Sequence, residues 1–157
     1  MLQDDTRQTI KFVSWVIGLI IVAFLASIAI FYYAGSRSRG NDQKVTQLAT
    51  SKTPIRKIQN YYHLDRGTSS YAIAGTNNKG KQYYFIYLPN SKKAYLYPAA
   101  KGITESKIKN KFKSIHTDAT INNINLGWYK GEAVWEVAYK KQHGNLGYTL
   151  YEFKNGN

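Results

Sequence analysis

The chain has 157 residues, room for one ordinary domain or two very small ones, and carries 22 Lys and Arg against 9 Asp and Glu, a net charge of +13. It has no cysteine, which excludes a disulfide framework, a thiolate nucleophile and any Cys-ligated zinc. A hydrophobic share of 43%, with 14 tyrosines, excludes a disordered basic tail and favours strands and buried or binding surfaces.

Residues 1–11 predict a short tail of zero net charge, since Asp4 and Asp5 balance Arg7 and Lys11; all of the excess positive charge therefore falls on 37–157. From Phe12 to Ser36 no charged residue occurs. A helix crosses a bilayer in about 20 residues, so this run predicts a transmembrane helix over 12–34. Trp15 at one end and Tyr32 and Tyr33 at the other suit the interfacial aromatic belt. A cleaved signal peptide would have a shorter apolar region and a clear small-residue cleavage site, which YYAGSRSRG does not offer. Arg7 and Lys11 before the span and Arg37, Arg39 and Lys44 after it leave the orientation undecided by charge.

Gly35–Gly40 (GSRSRG) reads as a polar linker. Beyond it, a shift of 64 residues superposes Gly67 on Gly131, Ala74 on Ala138, Gly80 on Gly144, Tyr84 on Tyr148 and Tyr87 on Tyr151, with Tyr71 on Trp135 among similar pairs. The sequence thus predicts two αβββ units, 41–99 and 100–157. The first begins with a helix over Asp42–Ser51, stopped by Pro54. Strands follow at Ile55–Tyr62, Ser69–Gly75 and Gln82–Leu88, with a short fourth at Ala94–Tyr97. The second helix is TESKIKNKFKSIH, with Thr104 as N-cap, Ile103 and Ile108 at staple positions, and an apolar stripe of Ile108, Phe112 and Ile115. Strands at Ile121–Trp128, Ala133–Tyr139 and Leu146–Phe153 complete it, and no fourth strand follows the closing KNGN. Tyr71 and Ile73 in one unit, and Trp135 and Val137 in the other, mark the faces that receive the helices. Tyr83, Tyr84, Phe85 and Tyr87 put rings on both faces of one strand, the second face being read as packing between units.

Catalytic chemistry finds no motif. His63, His116 and His143 have no metal-ligand spacing, the acids Asp118, Glu132, Glu136 and Glu152 form no paired-carboxylate motif, and the glycines sit in turns rather than in a phosphate loop. The expectation is a non-enzymatic protein with no cofactor, no metal and no nucleic-acid partner. Lys101, Lys107, Lys109, Lys111 and Lys113 cluster around the second helix, and Lys92, Lys93, Lys140 and Lys141 lie in turns. They read either as a solvated face or as an attractive surface for a polyanion, wall polymer or lipid headgroups outside a cell. Trp128, Tyr129 and Lys130, aromatic and basic at a strand end, are the candidate partner-binding residues.

The stretches SSYAIAGTNNKGKQYYFIYLPNSKKAY, KGITESKIKNKFKS, GEAVWEVAYKK and GYTLYEF together resemble the TseB-like (YpmB-like) cell-wall elongation regulator family of Gram-positive bacteria, while 41–62 matches its pattern poorly. The resemblance implies an α+β fold of two tandem PepSY/cystatin-like units, helix on antiparallel sheet, behind a single span with the domains outside the membrane. It implies a regulator of peptidoglycan elongation that contacts a membrane-bound penicillin-binding protein, and it brings no catalytic residue. The alternatives are a basic envelope module that binds anionic wall polymer or lipid, and an inhibitor of an extracytoplasmic peptidase.

Overall fold

A computed structural model describes the backbone of residues 2–142 and 144–157, and the side chains of 12–30, 42–142 and 144–157. His143, and the side chains of Arg7, Lys11, Tyr32, Tyr33, Arg37 and Arg39, lie outside the described residues. The chain forms two compact units, Met1–Gly40 and Asn41–Asn157.

Helix α1 spans Leu2–Lys52. Within it, Phe12–Ile30 is long and apolar enough to cross a membrane, and none of that stretch is buried in protein. Its 19 residues reach about 28 Å, close to the hydrocarbon thickness of a bilayer. The sequence expects a linker at 35–40 and a separate helix from Asp42; instead α1 runs through both. GSRSRG contains no proline, each glycine costs a helix only about 1 kcal/mol, and its two arginines are good helix formers, so nothing in the segment forces a break. The helix ends where expected. Pro54 cannot continue it, and the Arg56 guanidinium donates to the carbonyls of Thr50 and Thr53 at 2.8 and 2.7 Å, satisfying groups the helix end leaves open.

In the unit 41–157 the last turns of α1 lead into strands β1 (Lys57–Asp65), β2 (Ser69–Thr76), β3 (Gln82–Leu88) and β4 (Lys93–Pro98), an antiparallel meander in sequence order. A short 3-10 turn, Ala99–Lys101, leads to α2 (Glu105–Ile115) and a second meander of β5 (Ala119–Tyr129), β6 (Glu132–Lys141) and β7 (Leu146–Glu152). The expected boundary at 99/100 falls in that 3-10 turn, but the core does not divide there. One face of the first sheet (Ala72, Ala74, Tyr84, Ile86) shares a cluster with Ile108 and Phe112 of α2 and with Leu126, Trp135 and Val137 of the second sheet. Its other face (Tyr71, Ile73, Phe85, Tyr87) packs under Val45 and Ala49 of α1. The rings on both faces of β3 are therefore packing on both, as period-two alternation demands.

Several positions matched by the 64-residue shift have like surroundings in the two sheets. The four matched turn glycines, Gly67, Gly131, Gly80 and Gly144, all have positive φ. Each first strand carries a bulge, between Ile58 and Asn60 in β1 and between Ile121 and Asn123 in β5. Tyr71 and Trp135 both face their helix clusters. The match fails at Tyr84 and Tyr148: Tyr84 is buried in the cluster shared with α2 and the second sheet, whereas Tyr148, on the edge strand β7, lies 57% exposed on the face away from that cluster. Ile115 also departs from expectation, at 59% exposed. The stripe ends with His116 instead, four residues after Phe112, whose ring lies 4.5 Å from Phe112 and 5.6 Å from Tyr139. Thr104 caps α2 as expected, its side chain accepting from the Lys107 N–H.

Candidate functional site

Trp128, Tyr129 and Lys130 stand where β5 turns into β6. Lys130 (φ 46°) and Gly131 (φ 94°) form the two-residue turn, closed by the pairing of Tyr129 with Glu132. Two successive positive φ values define the tight hairpin turn whose twist matches its strands. The end of β5 is fixed against the first sheet. The Trp128 N–H donates to the buried Ser70 hydroxyl at 2.9 Å, and the Trp128 ring stacks on Tyr95 of β4 with centroids 4.1 Å apart. Strand alternation sends Tyr129 to the opposite face, where the Lys130 ammonium stands 5.3 Å from its ring centroid.

Trp128 lines a cleft of about 350 Å³ with Tyr97, Ala133 and Phe153, and Lys101, Lys154 and Glu132 stand among its lining residues. Of the three candidate residues the structure brings only Trp128 to this cleft; Tyr129 and Lys130 do not line it. Reading the sequence missed Tyr97, Phe153 and Lys154, and placed Lys101 only in the lysine cluster around α2. They lie far apart along the chain, and the only signal was that each aromatic closes a strand pattern beside a basic residue or turn. Phe153 is fixed from several sides: its ring packs 5.5 Å from Tyr84 and 5.2 Å from Tyr97, its N–H donates to the Ala133 carbonyl at 2.9 Å, and it passes so near Gly102 that a Cβ there would meet its ring. Burial, and then the neighbouring Tyr95, push the Tyr97 phenol above its usual pKa, so it stays neutral. A cleft with aromatic walls and lysines at its margin accepts an apolar side chain and favours acidic groups beside it.

A second, polar cleft of about 510 Å³ lies where the N-terminus of α2 meets β1–β3. There the Tyr62 hydroxyl donates to the Glu105 carboxylate at 2.6 Å, and the Asn60 amide donates to both Tyr62 Oη and the same carboxylate. Burial, and then the Glu105 hydrogen bond, raise the Tyr62 pKa. Glu105 also suits the positive helix start, so this arrangement fastens α2 to the first sheet. Among the described residues, no three of His, Cys, Asp and Glu gather as a metal site would require.

No family model matches the chain, and no curated protein matches it. Among solved structures it is similar to the YpmB protein from Bacillus subtilis, with a TM-score of 0.62 and 20% sequence identity over 73% of this chain and 91% of that one. The chain has a YpmB-like α+β fold of two antiparallel sheets behind an apolar N-terminal helix.

Proposed function

We propose that the chain is a non-enzymatic accessory protein anchored in the cell membrane by one span, with 41–157 outside the cell. There it regulates peptidoglycan elongation by contacting a membrane-bound penicillin-binding protein. Its two helix-on-sheet halves are, in this reading, tandem PepSY/cystatin-like units of the TseB-like family. The observation that carries the proposal is the aromatic cleft of Trp128, Tyr97 and Phe153, on a chain that joins a span-length apolar helix to a YpmB-like fold. Confinement to the membrane plane raises the effective concentration of such a protein beside any membrane-bound partner, so a small cleft suffices for productive contact.

The test is in-cell crosslinking of the full-length tagged protein, with mass spectrometry of the captured membrane proteins. Enrichment of a penicillin-binding protein, lost when 41–157 is deleted but the span is kept, supports the proposal. Capture of no synthase overturns it.

A further inference from the structure

We propose that two copies of this chain pair through the edge strand β7, antiparallel about a two-fold axis at Tyr148, so that their second sheets become one. The sheet runs β5–β6–β7, which leaves β7 a neighbour on one side only. Two hydrogen bonds fix the direction of its backbone groups. The Lys141 N–H donates to the Asn145 carbonyl at 2.8 Å, and the Phe153 N–H donates to the Ala133 carbonyl at 2.9 Å, with unbroken antiparallel register between. Hydrogen-bonded positions alternate along such a pair. Gly147, Thr149 and Tyr151 therefore turn their N–H and C=O groups to β6, and Leu146, Tyr148 and Leu150 turn theirs outward. At Glu152 both outward groups are taken: its N–H donates to the Asn157 carbonyl at 2.8 Å, and its carbonyl accepts from the Gly156 N–H at 2.7 Å. The open part of the edge is thus 146–150.

The other edge strands carry the features that keep a sheet edge from pairing, which are lysine, proline and bulges. β1 has Lys57 and a bulge, and β4 has Lys93 and Pro98. β5 is bulged, and its Trp128 N–H is tied to Ser70 of the first sheet. β7 reads LGYTLYE, with no lysine, no proline and no bulge, although the chain as a whole carries a net charge of +13. Leu146 is 76% exposed. With Tyr148 and Leu150 it faces away from the shared core, to which Tyr151 belongs.

The sequence of the open stretch points to its own copy as the occupant. Leu146, Gly147, Tyr148, Thr149 and Leu150 are nearly symmetric about Tyr148. Antiparallel self-pairing at that residue sets Leu146 against Leu150, Tyr148 against Tyr148 and Gly147 against Thr149. Each outward N–H of the stretch then meets an outward C=O, and each side chain meets one of its own kind or size, as a two-fold contact requires. A slip by one residue would bring outward groups against inward ones. Charge agrees with the arrangement. The stretch itself is neutral, Lys140 pairs beside Leu146, and Glu152 follows Leu150. Antiparallel pairing sets the base-flanked end of each strand beside the acid-flanked end of the other. So short a pairing falls below the roughly 1,200–2,000 Å² of a stable interface in solution, and confinement to one membrane plane makes up the difference. The inference rests on the membrane anchoring proposed above but not on the synthase contact, since none of 146–150 lines the Trp128 cleft.

The experiment uses full-length protein in lipid vesicles, with no synthase present. The chain has no cysteine, so K79C, in the turn after β2, carries a donor or an acceptor dye. Energy transfer should rise with the protein-to-lipid ratio. Adding Y148E should lower the association constant tenfold or more, because like charges then stand opposite each other at the axis. Arg66, which lies over position 148, accommodates that charge in the single copy, and circular dichroism checks that the variant is folded. Y148F should stay within threefold of the parent. Oxidative crosslinking reads the register. Y148C alone, and L146C mixed with L150C, should form disulfide dimers, since paired Cα atoms lie about 5.5 Å apart. L146C alone, and K93C on β4, should not. No energy transfer in the parent overturns the proposal, as does equal transfer in Y148E, or crosslinking of L146C to itself as readily as to L150C. If the parent stays monomeric while Y148E loses membrane proteins that the parent captures by crosslinking in cells, the edge takes another protein's strand and the proposal fails.

Discussion

The Trp128 N–H donates to the buried hydroxyl of Ser70 at 2.9 Å, and that hydroxyl in turn donates to the Leu64 carbonyl at 3.1 Å. One side chain thus bridges β2, β1 and β5, and it joins the two sheets at the root of the aromatic cleft. Replacing Ser70 by Ala leaves a half-buried N–H and a buried carbonyl without their partner, at a cost of about 1–3 kcal/mol. Urea unfolding of S70A should show that loss as a lower midpoint with an unchanged m-value.

The same seam requires a glycine at 127. A Cβ built there would stand 2.3 Å from Leu64 Cβ and 2.6 Å from Ser70 Oγ. G127A should therefore destabilise by more than about 2 kcal/mol, because neither neighbour can move without opening the sheet junction. Gly131 gives the contrast. No atom lies within 4 Å of its would-be Cβ, so G131A meets only the strain of φ 94°, about 1 kcal/mol. Thermal unfolding of the two variants side by side checks the order.

Arg66 in the β1–β2 turn pairs with the buried Glu136 of β6 and lies 3.4 Å above the Tyr148 ring. Burial works against the Arg66 charge, but the Glu136 hydrogen bond and charge outweigh it and hold the guanidinium above its usual pKa. Removing Arg66 strands a carboxylate that is only 7% exposed, so R66A should cost about 2–3 kcal/mol. R66A/E136Q should recover part of that loss, and R66K little, since an ammonium lacks the planar face that lies on Tyr148. A double-mutant cycle by chemical denaturation measures each term.

Four phenols, Tyr62, Tyr84, Tyr97 and Tyr151, are raised above the ordinary tyrosine pKa, each chiefly by burial. The folded chain holds these protons to higher pH than the unfolded chain, whose tyrosines ionise near pH 10. Above about pH 10 the unfolded state therefore binds fewer protons, and stability falls as pH rises; below it the contribution is fully present. Y62F removes one such group, so its stability should fall less steeply than that of the parent between about pH 10 and 11. Equal slopes in the two proteins would refute the assignment.

Much of this architecture is legible in the sequence because local signals agree there. Gln82–Leu88 and the Thr104 cap are placed as alternation and capping rules dictate, and the matched glycines sit at positive φ because no other residue does so at low cost. What was not legible is what depends on distant partners. The linker at 35–40 is helical because nothing in the segment forces a break, which composition alone does not weigh. Tyr148 reads like Tyr84, but only the sheet face that carries Tyr84 is covered by a second layer. The cleft draws on Tyr97, Trp128 and Phe153, which only the meeting of two sheets brings together.

That meeting also changes what a mutation of the strand end should do. Trp128, Tyr129 and Lys130 read as one aromatic-basic group, but the alternation of β5 and the turn at Lys130 send them different ways. If the cleft is the contact surface, single substitutions should act unequally. W128A removes a cleft wall and its stacking on Tyr95, and should cut partner capture by tenfold or more. K101Q/K154Q should lower capture by a few-fold and make it less sensitive to salt, as marginal charges do. Y129A and K130A should leave capture within about twofold of the parent, because neither side chain lines the cleft. Quantitative crosslinking of the four variants, with circular dichroism to confirm that each is folded, decides it. Loss of capture in Y129A with none in W128A would place the contact on the opposite face of β5.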